Sequence, residues 1–208
     1  MRFSNAAKFL MVSLSNHEHR IGHDPRRNPS QESEVPVSPK IETEIEKRII
    51  AVLVDNEPGV LARVIGLFSG RGYNIESLTV SEVDPDEALS RITVVTSGTP
   101  MILEQIKAQL ARLVPVHSIS DLTREGPYVE RDLALIKLVG SGEKRVEALR
   151  IADIFRARVV DAGHDHFIIE MTGRTDKLDA FIELMRPLGL IDVSRTGVVA
   201  IARGPEGL

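Results

Sequence analysis

The sequence predicts an α+β fold made of two ferredoxin-like βαββαβ units that follow a disordered N-terminal tail. Two observations carry this. Apolar periodicity alternates between strand-like runs and helical faces in the order β, α, β, β, α, β, and the same order begins again after the breaker Arg124-Glu125-Gly126-Pro127. The expected division is a tail at 1–46, a first unit at 47–123 and a second at 128–204. At pattern level this is an internal duplication, although the two sequences have diverged.

Residues 49–54 are an almost continuous apolar run, as expected for a strand buried on both faces. Asp55-Asn56-Glu57-Pro58-Gly59 supplies turn residues, with Pro58 suited to open a helix. From Val60 the period changes, and Val60, Val64, Leu67 and Phe68 mark one helical face. Gly70 and Gly72 end that helix, and the chain returns as a strand over 73–80. Asp84-Pro85-Asp86-Glu87 is a turn, which makes 75–83 and 89–96 a hairpin. Thr99 then reads as an N-cap with Pro100 at the first helical position. Leu103, Ile106, Leu110 and Leu113 line that second helix, and 114–122 close the unit as a strand. The expected sheet is four-stranded and antiparallel, with both helices on one face.

The second unit repeats the order. Residues 132–139 are a strand, and 143–156 a helix with Val146, Leu149, Ala152 and Phe155 inward. Strands at 158–162 and 167–172 flank the turn Gly163-His164-Asp165. Residues 176–187 form a helix, and 190–202 a last strand open to a bend at Gly197.

The run VLVDNEPGVLARVIGLFSGRGYNIESLTV closely resembles the N-terminal ACT domain of acetolactate synthase small (regulatory) subunits. The resemblance continues through LSRITVVTSG, LEQIKAQLARLVPV and VERDLALIKL to SRTGVVAIARG, roughly three-quarters of the chain. The long tail and the His164-Asp165-His166 wording depart from it. The residues alone show a loop whose backbone N–H groups, at a helix N-terminus, suit an anion such as a carboxylate. The carboxamides of Asn56 and Asn74 can both donate and accept, and Gly59 allows close approach of ligand and backbone. By themselves these residues read first as plain turn residues and a strand start. The resemblance implies more: a valine-binding site at Asn56, Pro58, Gly59, Val60 and Asn74, completed between two protomers of a homodimer. It also implies a large catalytic subunit as partner, with thiamine diphosphate on that subunit and no cofactor on this chain. The implied role is activation of that subunit and valine feedback in valine, leucine and isoleucine biosynthesis. A stand-alone ACT-type amino-acid sensor or regulator is the alternative, and it would need a helix-turn-helix or a basic face.

Composition bounds the rest. In 208 residues, 42% hydrophobic and 27% charged, the net charge is −4, which gives no basic footprint for nucleic acid or an acidic membrane. Cysteine is absent, which removes disulfides and thiolate chemistry and fits a reducing cytoplasm. Six Phe, two Tyr and no Trp leave the cores to aliphatic side chains. No apolar run approaches the roughly 20 residues that span a bilayer. Residues 1–46, rich in Pro, Ser and charge, read as a flexible tail, with too many acids for a transit peptide. His17, His19 and His23 there lack a frame to fix metal geometry. Gly140-Ser141-Gly142-Glu143-Lys144-Arg145 lacks phosphate-loop spacing and reads as a strand-to-helix turn. Gly66, Gly70 and Gly72 close a helix where a dinucleotide fingerprint would open one. His164 and His166 lack a third metal ligand, Asp84, Asp86 and Glu87 read as a solvent turn, and Ser194-Arg195 has no His–acid partner. No catalytic set and no metal site is expected.

Overall fold

The computed structural model describes residues 44–208. The expected tail up to residue 43, with His17, His19 and His23, lies outside the described residues.

Strand β1 (Glu46–Asp55) leads into helix α1 (Val60–Ser69), the hairpin β2 (Ser77–Asp84) and β3 (Leu89–Gly98), helix α2 (Pro100–Leu110) and strand β4 (Val116–Asp121). The sheet order is β2-β3-β1-β4, antiparallel throughout. Helix α2 starts as the sequence predicts, with the Thr99 hydroxyl accepting from the Ile102 amide and Pro100 at the first position. The helical faces meet one side of the sheet, where Ile50, Val52 and Val54 of β1 pack with Val64, Phe68, Leu103 and Ile106. Each fully buried Leu or Ile there contributes about 1.5–3 kcal/mol relative to exposure.

The second unit follows the same plan. Strand β5 (Tyr128–Val139), helix α3 (Gly142–Phe155), the hairpin β6 (Arg158–Ala162) and β7 (His166–Gly173), helix α4 (Thr175–Met185) and strand β8 (Leu190–Arg195) form a sheet of order β6-β7-β5-β8. Its core gathers Ile136, Leu138, Phe167, Ile169, Phe181 and Met185. Helix α3 turns Leu149, Ala152 and Phe155 inward as the sequence predicts, and corrects one position: Val146 is 67% exposed, and Ala148 is buried instead. Two alanines let the helix lie close to the sheet, with Leu149, Ile151 and Phe155 half-buried beside them and the Phe155 ring centroid 5.2 Å from that of Phe181.

The last predicted strand is two. Strand β8 ends at Arg195, the chain turns through Gly197 at φ 86°, and a ninth strand, β9 (Val199–Ala202), pairs with the first residues of β5. This C-terminal segment lies across the helix-free face of the first sheet. Val198 and Ala200 bury Ile49, Ala51, Val95 and Leu122 there, so β1 is indeed covered on both faces. Polar clamps fix the segment. The Ser77 hydroxyl accepts from the Val198 N–H at 2.8 Å, and the Thr79 hydroxyl donates to the Val198 carbonyl at 3.0 Å. Arg91 donates to the Ala200 carbonyl at 3.0 Å. At the corner, Arg195 donates to the buried Asp132 and to Asp179. Among the described residues no helix is long and apolar enough to cross a membrane.

Candidate functional site

The loop between β1 and α1 is exposed from Asn56 to Gly59, and Val60 is buried beneath it. Its base is pinned from both sides. The Asp55 N–H donates to the Pro115 carbonyl at 2.9 Å and the Asn56 N–H to the Ala88 carbonyl at 2.6 Å. The His117 ring lies 2.6 Å from the Asp55 carboxylate. Pro58 sits just ahead of Gly59, which caps α1 in the left-handed region at φ 91°. No side chain caps the helix. The first helical bond runs from the Arg63 N–H to the Gly59 carbonyl at 3.0 Å. The amides of Leu61 and Ala62 therefore precede the ladder, at the positive end of the helix dipole. The Val60 amide is engaged within the loop, donating to the Glu57 carbonyl at 3.4 Å. The Asn56 carboxamide donates to Glu82 at 3.0 Å, a partner no motif indicated.

Asn74 is exposed too, just before β2, and the Thr96 hydroxyl donates to its carbonyl at 2.6 Å. It does not meet the loop within one chain. Strand β3 measures the gap, since Asp55 pairs with its Leu89 and Asn74 bonds its Thr96. Seven residues at about 3.4 Å each separate the two by about 24 Å. The cause is connectivity: α1 carries the chain from one end of the sheet to the other before Asn74.

The other residues flagged in the sequence have structural roles. Arg145 donates to the Gly163 carbonyl at 2.9 Å and lies over the Phe167 ring, which holds the His164-Asp165-His166 turn. Asp84 caps its own turn by accepting from the Asp86 and Glu87 amides. Ser141-Gly142 opens α3, as a strand-to-helix turn would. Among the described residues no group of three or more His, Asp or Glu is placed to hold a metal ion. The densest charge cluster went unforeseen. Buried Arg48 donates to Glu46, Glu104 and the fully buried Asp121 at 2.8–2.9 Å. Burial disfavours its charge, but these hydrogen bonds outweigh that and raise its pKa.

Residues 50–118 match the model of the AHAS small subunit-like ACT domain, and residues 131–204 match that of the small subunit of acetolactate synthase. A probable acetolactate synthase small subunit of Archaeoglobus fulgidus is 51% identical over 158 residues, 76% of this chain and 98% of that protein. The acetolactate synthase isozyme 3 small subunit of Escherichia coli is 46% identical over 161 residues, 77% of this chain and 98% of that protein. The crystal structure of the acetolactate synthase small subunit from Thermotoga maritima superposes with a TM-score of 0.69 at 36% identity, over 77% of this chain and 99% of that one. Matches of this identity, spread over both units and nearly the whole length of each relative, leave one assignment: the chain belongs to the acetolactate synthase small subunit family.

Proposed function

We propose that this chain is a non-catalytic regulatory subunit that activates the thiamine-diphosphate-dependent catalytic subunit of acetolactate synthase and makes it sensitive to valine. Thiamine diphosphate belongs to the catalytic subunit in this reading. The chain works in the formation of valine, leucine and isoleucine, in the cytoplasm.

The observation that carries the reading is the pinned, exposed loop from Asn56 to Gly59, seated on the buried Val60. It offers the amides of Leu61 and Ala62 to a carboxylate, with the Asn56 carbonyl free to accept from an ammonium. Asn74, about 24 Å away along β3, reaches the same ligand only from a second copy. The β2 edge supports such a homodimer. Among the described residues it pairs only with β3, and Val80, Val83, Leu61 and Ile65 are exposed on β2 and α1. Regulation then requires valine to bind two states of the complex unequally, and the catalytic partner must shift valine affinity by the same factor.

Titration of the full chain with valine, read by calorimetry and thermal shift, tests this. Saturable binding is expected, with about 2.7 kcal/mol of added stability at a hundredfold excess over the dissociation constant. Asn74→Ala and Gly59→Asp should weaken valine inhibition of the assembled enzyme while the fold persists. Space is open around Gly59, so the aspartate's cost is backbone strain of about 1 kcal/mol at φ 91°. Equal inhibition of parent and variants would remove these residues from the site.

A further inference from the structure

Strand β6 (Arg158–Ala162) is exposed at all five positions and, among the described residues, hydrogen-bonds on one side only, to β7. A strand edge left open in this way is a template for another strand. Its sequence, RVVDA, names the partner. Arg158 pairs with Glu170 of β7 and Asp161 with Ile168, because the register shifts between Val159 and Asp161. Glu170 and Ile168 are two residues apart on β7 and share a face. Arg158 and Asp161 therefore share a face as well, with the two valines between them. In a regular strand, residues three apart would point to opposite sides.

The shift makes the edge complementary to itself. A twofold axis through Val159–Val160 brings a second β6 alongside in antiparallel fashion. Arg158 then lies opposite the second copy's Asp161, and the reverse pair forms at the same time. The valines, 39% and 46% exposed, meet at the axis. The charged groups are accessible for this, Arg158 at 73% and Asp161 at 56% exposure. Arg158 already holds Glu170 at 2.7 Å, and its five-donor guanidinium can take a second carboxylate. An isologous contact needs a patch whose complement is written in the same patch, and an Arg–Val–Val–Asp run with its ends on one face meets that condition.

We propose that β6 is a self-association edge of the second unit, pairing antiparallel with the β6 of a second copy of this chain. The contact does not draw on the amino-acid site of the first unit, so either can fail alone.

The chain has no cysteine, so a single introduced thiol reports the contact. The full chain carrying Val160→Cys is oxidised in dilute solution beside Met101→Cys, on the exposed side of α2. Val160→Cys should form covalent dimers several-fold faster. Adding Asp161→Arg, or Arg158→Asp, sets like charges opposite each other and should slow the reaction several-fold. Combining both reversals in one chain, or mixing the two single reversals, should restore it, which no merely unfolded variant would do. Cross-linking no faster than at position 101, or indifferent to the reversals, overturns the proposal. So does a thiol that forms no dimer and is shielded from maleimide only when the catalytic subunit is added, because the edge would then belong to that partner.

Discussion

Replacing Arg48 by Met should be among the most damaging single changes in the first unit, and more damaging than removing its buried partner. The side chain is 1% exposed and Asp121 is fully buried, 2.9 Å away. Without Arg48, the Asp121 carboxylate keeps only the Thr123 amide at 3.2 Å among the donors it has now. Breaking a buried pair from one side costs about 3–5 kcal/mol, because the remaining charge is uncompensated. Asp121→Asn is gentler. Arg48 keeps Glu46 and Glu104, so the loss is one charge-assisted hydrogen bond, about 1.5–3 kcal/mol. Joint replacement with Met and Leu should recover much of the Arg48→Met loss, since a packed apolar pair replaces two desolvated charges. The assay is urea unfolding of the full chain by circular dichroism at fixed protomer concentration, because association also shifts stability. In a thermal scan a protein of this size shifts its midpoint by about 2–4 °C per kcal/mol, so Arg48→Met should also melt about 6–20 °C lower. An Arg48→Met variant within about 1 kcal/mol of the parent, or no less stable than Asp121→Asn, would refute the reasoning.

Acid should expose a second part of the same electrostatics. The Arg48 guanidinium holds the Glu104 carboxyl, and the Lys47 ammonium the Glu76 carboxyl, below the ordinary 4.5. A lowered folded pKa gives stability that is present above 4.5 and lost as pH falls through the lower folded value. The urea midpoint should therefore fall on acidification below about pH 5, and less steeply in Glu76→Gln. At the C-terminal crossing, Gly197→Ala places a Cβ 2.7 Å from the Ser77 hydroxyl at φ 86° and should cost about 1–3 kcal/mol. Ser77→Ala should cost about 1 kcal/mol. Hydrogen exchange of the Val198 amide, which donates to that hydroxyl, should speed up in both.

Much of the fold could be read in the sequence because its signals are local. The apolar run at 49–54, the change of period at Val60 and the Thr99–Pro100 start each specify an element from its own residues. Helix α3 departs from that kind of signal at one position: Leu149, Ala152 and Phe155 pack inward as their spacing implies, whereas Val146 is exposed. The fully enclosed residues are Ala148 and Ala152, whose small volume sets how closely helix and sheet approach. Periodicity ranks side chains by apolarity, and closeness of packing here favours Ala148 over Val146.

What stayed hidden depends on residues far apart in the chain. The run in β1 demands cover on both faces, but only the folded chain shows that Val198 and Ala200 supply the second cover, some 150 positions downstream. The Arg48 cluster is equally nonlocal, joining β1 to α2 and to the end of β4. The candidate amino-acid site shows the opposite hazard. Asn56 and Asn74 are 18 positions apart and read naturally as one constellation. Yet the chain reverses as it enters α1 and again as it leaves it, which puts the two corners at opposite ends of the sheet. Corner residues in one such unit cannot share a small ligand, whereas corners of two units set edge to edge in antiparallel fashion can. A second copy is therefore required by any site that uses both asparagines, and a monomer held apart from that partner should lose valine binding with its fold intact.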